Sequence, residues 1–279
     1  MNILIFGGTR FIGKDIVEKL IDENLSLTIF SRNPKVPRDI NHIQGDRNNI
    51  KDIESIKGSF DIVIDFISYN DRHTSQILNL FPKSRYILIS TAWKEIKHSL
   101  KQEAKYNYIK NKRLAEEEVI KSRKTNKNNT IIRLPVILGL NDHTSRTNFF
   151  RNKTNKYIYL TNPDTNIYFC WKSDVSEFIV NQILSKDKYY PPIIYPSIYF
   201  NIKLSNYIEM HQSFEKVKYL IKFIDRNQML NNNVFENYIN TIAEDFYYPI
   251  DIHGKSLMQI DNLDRLSSFM KVLRSSEPL

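Results

Sequence analysis

The chain has 279 residues, of which 41% are hydrophobic and 25% charged, and a formal net charge of +9 at pH 7. That length suits one large domain, or a large domain with a smaller one appended, and the balance is that of a globular enzyme rather than a disordered or fibrous chain. The sole cysteine, Cys170, excludes an intrachain disulfide framework and any multi-cysteine metal site, so a reducing, cytoplasmic setting is expected.

In chain order, residues 3–6 form a short apolar run that stops at Gly7, the pattern of a buried parallel strand. Residues 11–24 follow with Ile12, Ile16, Val17, Leu20 and Ile21 on one helical face. Further strands are predicted at 27–30, 41–44, 62–67 and 86–90, then a long helix at 106–123 with Ile109, Leu114, Ala115, Val119 and Ile120 available to pack. A sixth strand at 130–134 ends at Pro135, which cannot donate to a central ladder. Alternation at this spacing predicts an α/β fold, a doubly wound parallel sheet of Rossmann type.

After Gly139 the pattern changes. Residues 141–156 are polar and poorly periodic. Ser173 is the expected N-cap of a helix running to Leu184, with Val175, Phe178, Ile179, Ile183 and Leu184 on its apolar side. Pro191, Pro192 and Pro196 among five aromatics make 189–200 a connector into an edge strand. The expected organisation is a dinucleotide-binding domain over 1–140, completed by about 165–185, with a smaller, irregular substrate-binding part from 186–279 and 141–164.

Between the first strand and helix stands Gly7-Gly8-Thr9-Arg10-Phe11-Ile12-Gly13. Gly7 permits a tight turn, Gly13 lets the helix approach the strand, and the helix N-terminus offers N–H groups and a positive dipole end to a pyrophosphate. The loop resembles the Gly-x-x-Gly-x-x-Gly fingerprint of the extended short-chain dehydrogenase/reductase family, in the branch where Arg10 replaces the middle glycine. The resemblance implies cofactor contacts from Gly7, Thr9, Arg10, Phe11, Ile12, Gly13 and Phe66, and an adenine contact from Asp46 in Gly45-Asp46-Arg47. At the end of the second strand, where NAD-preferring proteins place an acid, the chain has Ser31-Arg32. A guanidinium can meet a 2′-phosphate bidentately where a carboxylate would repel it, so NADP is expected over NAD.

The same resemblance supplies a catalytic set: Thr91 at the end of the fifth strand, and Tyr108 with Lys112 on the following helix. Positions i and i+4 share a helix face, so the Lys112 ammonium can approach the Tyr108 phenol and lower a pKa that is ordinarily about 10. Thr91 would then bond the substrate oxygen, while Lys112 would also bond the nicotinamide ribose. A competing Tyr106/Lys110 frame lacks the glutamate that Glu116 supplies four residues after Lys112. Thr91 and Tyr108 stand 17 positions apart, shorter than is usual for the family. Matches continue in Arg133-Leu134-Pro135 through Gly139 and in Asp174-Val175, covering roughly residues 1–185. Sugar 4,6-dehydratases of the family carry Asp-Glu after the catalytic Thr, whereas this chain has Ala92-Trp93, which disfavours dehydration.

The expected function is therefore a reductase or epimerase acting on a carbonyl or secondary alcohol, with a phosphate-bearing small molecule such as a nucleotide sugar as substrate. Much of the positive excess is local, with 11 Lys/Arg against 5 Asp/Glu between Lys94 and Lys127. That stretch reads as a solvated helix face or as attraction for a phosphate-bearing ligand. Two other classes stay open: an RNA-binding protein on the same scaffold, as in the chloroplast stem-loop binding proteins, and a cofactor-sensing regulator without chemistry. The six histidines, His42, His73, His98, His143, His211 and His253, show no metal-ligand spacing, so no metal is expected. No basic leader and no apolar run of about 18–20 residues is present, so neither a signal peptide nor a membrane span is expected. Family members often dimerise through the Tyr-x-x-x-Lys helix, and a homodimer is possible here.

Overall fold

The computed structural model describes residues 1–37, 40–92, 103–142, 157–160, 166–196, 198–215, 220–223 and 258–259. Trp93, Asp39, most of 141–156 and three of the six histidines (His98, His143 and His253) lie outside them. In chain order the elements are β1 (Asn2–Phe6), α1 (Phe11–Ile21), β2 (Ser26–Ser31), β3 (Asn41–Gln44), α2 (Ile50–Glu54), β4 (Ile62–Asp65), α3 (Asp71–Leu80), β5 (Arg85–Thr91), α4 (Glu103–Ser122) and β6 (Thr130–Leu134). There follow β7 (Val136–Leu138), β8 (Tyr157–Leu160), β9 (Asn166–Trp171), α5 (Lys172–Leu184), β10 (Ile193–Ile194), β11 (Ile198–Lys203), α6 (Leu204–Glu215), β12 (Leu220–Phe223) and β13 (Met258–Gln259).

The chain divides into two compact units, one of Met1–Leu134 with Lys172–Pro196, the other of Pro135–Trp171 with Ser197–Leu279. The first unit holds a seven-stranded sheet in the order β10-β6-β5-β4-β1-β2-β3, every pair of which is parallel. Its central strands β1, β4 and β5 carry apolar runs because both faces are covered, whereas the edge strand β3 is mostly polar and only partly buried. Leu4 and Phe6 of β1 join a core with Ile53, Ile77, Ala115 and Val119 from α2, α3 and α4. Ile5 looks the other way, toward Val17 of α1 across Gly8. After β3 the chain returns to the far side of β1, so the right-handed crossovers through α1 and through α3 lie on opposite faces. This reversal opens a crevice at the carboxyl ends of β1 and β4, where such sheets bind ligands.

The stretch 189–200 does not simply lead into an edge strand: it contains one, β10, between Pro192 and Pro196 and paired with β6, whereas β11, which follows Pro196, lies between β13 and β9. Ser173 is not the N-cap of α5. The helix starts at Lys172, whose ammonium pairs with Asp15 of α1 at 2.9 Å, and Ser173 sits in the first turn. Helix α3 escapes the periodicity reading because it is mostly polar, yet it buries His73, Thr74 and Ile77 and is capped by Asn70, which accepts from the His73 N–H at 2.9 Å.

The second unit contains a four-stranded sheet, β13-β11-β9-β7, and a β12-β8 pair. Phe169, Trp171 and Tyr207 form a ring-on-ring interior there, with centroids 5.2 and 5.8 Å apart. Among the described residues, no helix is long and apolar enough to cross a membrane.

Candidate active site

The glycine loop is built as its composition requires. Gly7 has φ +86°, a backbone that side-chain-bearing residues rarely adopt, and a Cβ there would stand 2.7 Å from Ile67. A Cβ on Gly13 would collide with the Gly7 carbonyl oxygen, so the helix can come this close to the loop only without one. Phe11 also takes a positive φ of 46°. Helix α1 starts without help from side chains: Arg10, its extended N-cap, makes no side-chain cap bond, and no acid occupies the first turn. An anion at this terminus would meet a positive dipole end with no competing carboxylate, which suits a dinucleotide pyrophosphate.

Phe66 follows β4, donates its N–H to the Phe6 carbonyl at 3.0 Å and borders Gly7. Thr9 and Ile12 are half-buried beside the loop, and Arg10 is exposed. The Ser31 hydroxyl is committed internally, donating to the Asn33 carbonyl at 2.9 Å and lying 3.0 Å from His42 Nε2. Ser31 therefore shapes the loop after β2, while Arg32, 79% exposed, remains the available cation, only 4.0 Å from Asp46 at its nearest. Hydrogen bonds from the Asn48 backbone N–H and then its side-chain amide, with Arg32 beyond them, hold the Asp46 carboxyl below its usual range.

Thr91 ends β5 and is buried, and its carbonyl accepts from Arg113 of α4 at 3.1 Å. Tyr108 and Lys112 lie one turn apart on α4. Lys112 is 2% exposed, and its ammonium donates to the carbonyls of Ser68 at 2.7 Å and Ile89 at 2.9 Å, leaving a third N–H for a further acceptor. Burial lowers its pKa to about 8, against the opposing pull of Asp65 and Glu116. The structure brings both residues to one neighbour absent from the sequence reading. Tyr69 presents its ring 5.2 Å from Lys112 Nζ and 6.4 Å, centroid to centroid, from Tyr108.

Two buried networks support this edge. Glu116 accepts from Ser90 at 2.5 Å, Arg113 at 2.6 Å and Arg133 at 2.5 Å, tying α4 to β5 and β6 beside Thr91. Burial opposes the Arg133 charge, but the Glu116 carboxylate prevails and raises its pKa. Asp65, at the end of β4, accepts from Arg47 Nη2 at 2.6 Å and from the Tyr86 hydroxyl at 2.8 Å. Burial, then Asp65, holds the Tyr86 phenol well above its usual value, so it stays a donor. The apolar context of Asp65 in the strand run was the only sequence signal for this group, and Glu116 was legible as the residue that selects the Tyr108 frame.

A parallel sheet reversing at β1, a glycine loop at that point and a Thr, Tyr and Lys at the same carboxyl edge define a Rossmann-type α/β protein. By sequence, the chain matches no protein-family model and no curated protein. Its fold is similar to that of solved nucleotide-sugar enzymes. The UDP-glucose 4-epimerase of Thermotoga maritima, solved with UDP-glucose, is 13% identical with a TM-score of 0.63 over 81% of this chain and 87% of that one. The Thermus thermophilus UDP-glucose 4-epimerase in complex with NAD is 12% identical, with a TM-score of 0.61 over 80% and 86%. The dTDP-glucose 4,6-dehydratase of Bacillus anthracis, also with NAD, is 14% identical, with a TM-score of 0.61 over 81% and 86%.

Proposed function

We propose that this chain is an NAD(P)-dependent oxidoreductase or epimerase of the extended short-chain dehydrogenase/reductase type, acting on a carbonyl or secondary alcohol of a nucleotide sugar or similar phosphorylated small molecule. The observation that carries the reading is the Lys112 ammonium, buried at the carboxyl edge of β5 and held by two carbonyls beside the Tyr69 ring, which Tyr108, one helix turn before Lys112, also approaches. A bound nicotinamide dinucleotide supplies the hydride acceptor or donor. Tyr108 takes the proton of the substrate hydroxyl in the oxidising direction and returns it to the carbonyl oxygen in the reducing one. Lys112 stays largely protonated at neutral pH, so its charge favours the phenolate, and its spare N–H suits a ribose hydroxyl. Thr91 orients the substrate oxygen. Gly7, Thr9, Phe11, Ile12, Gly13 and Phe66 would line the dinucleotide, with Asp46 at the adenine end.

NADP is favoured over NAD by the basic surroundings of the loop after β2. A cavity of about 350 Å³ is lined there by Thr9, Lys14, Asn33 and Lys35, with Glu18 its acidic member. The solved enzymes of like fold named above carry NAD or a UDP-sugar, so cofactor preference is a property to be measured on this chain. A 4,6-dehydration is disfavoured by Ala92, a buried residue without acid–base capacity whose N–H bonds the Leu134 carbonyl at 2.8 Å. The test is fluorescence titration with NADPH and NADH, followed by turnover on a panel of nucleotide sugars. Saturable NADPH binding and turnover lost in Tyr108→Phe are expected. Failure to bind either dinucleotide removes the reading, and a salt-dependent shift of RNA in its place would favour the RNA-binding alternative.

A further inference from the structure

Arg47 and Asp65 are 18 positions apart and touch at 2.6 Å, both essentially out of water. As a stability device the pair is poor. Among the described residues Arg47 Nε and Nη1 find no hydrogen-bond partner, and its remaining nitrogen is divided between Asp65 and the His73 carbonyl, also at 2.6 Å. A cation so incompletely satisfied carries a desolvation cost that apolar side chains of similar volume would avoid.

What the pair touches is more informative. The Asp65 carboxylate also accepts the Ile67 N–H at 3.1 Å and so folds the turn that leaves β4. That turn ends at Ser68, itself fully buried and tied to Thr74 at 2.7 Å, and the Ser68 carbonyl is one of the two that hold Lys112. Arg47 anchors the other side of the same carboxylate while lying 4.5 Å over the Phe6 ring, next to the glycine loop.

The geometry points to Arg47 and Asp65 as positioning residues: through the 65–68 turn the pair fixes the carbonyl that holds the Lys112 ammonium, and so fixes where that ammonium stands relative to Tyr108. It also sets the local field. Lys112 faces Asp65 from β4, Arg47 from the loop after β3, Glu116 from its own helix, Tyr69 from the loop before α3 and His73 from α3, with Tyr86 of β5 bonded to Asp65. Glu116 is already shared between Arg113 and Arg133, so Asp65 is the carboxylate that Lys112 and Arg47 divide. Removing one member of the pair must therefore push the Lys112 ammonium in the opposite direction from removing the other.

This inference rests on the proposed role of Lys112, and its test reads the lysine directly in the full chain. Protein labelled with carbon-13 at lysine Cε is titrated by NMR from pH 6 to 11, and the Lys112 signal is assigned by its loss in Lys112→Met. The wild-type midpoint is expected near 8. Asp65→Asn should lower it by at least half a unit, Arg47→Met should raise it by a similar amount, and kcat should fall about tenfold in both with KM within about twofold. Tyr86→Phe, which keeps every charge and removes one donor from Asp65, gives a milder variant that should shift the midpoint upward should the others fail to fold. Folded variants with an unmoved midpoint overturn the inference. Lys112→Met that still turns over substrate overturns instead the reading of Lys112 as a catalytic residue.

Discussion

In the first unit Asp65, Arg47, Lys112 and Glu116 are buried as ionisable groups, each against an opposite charge or a carbonyl, whereas in the second unit Trp171, Tyr207 and His211 are buried as neutral rings. Burial lowers the His211 imidazole to about 3, so it carries no charge near neutral pH. Both solutions take polar groups out of water; among the described residues, the first gathers its charged groups at the carboxyl edge of the parallel sheet, and it is there that the proposed chemistry rests.

The comparison breaks first at Lys112. Tyr108→Phe and Lys112→Met should each reduce kcat by about 10²–10⁴, the usual range for a lost proton-transfer group. Lys112→Met should nevertheless melt no lower than wild type at pH 7. The folded-state pKa of about 8 lies below the ordinary 10.5, so the burial penalty is fully present below pH 8 and is relieved as pH rises from 8 to 10.5. A strongly lowered Tm would mean that Lys112 is a structural ion rather than a tolerated functional one. Calorimetry beside turnover assays decides.

Glu116 gives the next effect. Glu116→Gln leaves the half-buried Arg113 and Arg133 without their carboxylate; the figure for a broken pair lies between that of an exposed pair and that of a fully buried one, about 2–3 kcal/mol. Urea unfolding of the two proteins should differ by that order. In the second unit the effect is smaller and tied to pH. His211 is neutral when folded down to about pH 3 but takes a proton below about 6.5 when unfolded. Its contribution is thus complete above pH 6.5 and is lost as pH falls, by about 2 kcal/mol at pH 5. His211→Phe, which keeps a ring against Tyr207, should remove that part of the acid sensitivity, and urea midpoints at pH 7 and pH 5 measure it.

These expectations also mark what a sequence can disclose. The central strands of the first unit were legible because burial on both faces writes itself as apolar runs, while the edge strand β10 was hidden in the proline-rich connector; the glycine loop was legible because Gly7 and Gly13 answer local steric demands. Tyr108 and Lys112 were legible as one helix turn. The Arg47–Asp65 and Glu116–Arg133 pairs were not, since an ion pair between segments 18 or 17 residues apart leaves no period to detect. Tyr69 was missed for the related reason that its two contacts come from a helix some forty positions later. The bonds of the Ser31 hydroxyl to Asn33 and His42 were not legible either, because they depend on how the loop after β2 folds back on β3.

The smallest effect tests the exposed charge at the same crevice. Arg32 is 79% exposed and paired with Asp46 no closer than 4.0 Å, so it lies largely in water, unlike Arg47 fifteen positions on. Screening limits what such a charge can contribute. Arg32→Glu should weaken NADPH binding about tenfold, about 1.4 kcal/mol, because a carboxylate beside a 2′-phosphate is repulsive, while NADH binding should change less than about twofold. The difference should shrink as salt is raised from 50 to 500 mM, since the interaction acts through solvent. An equal loss for both dinucleotides would place Arg32 in the shape of the loop. No loss for either would transfer the phosphate preference to Lys14 and Lys35 in the adjoining cavity, where the corresponding charge reversals would then have to carry it.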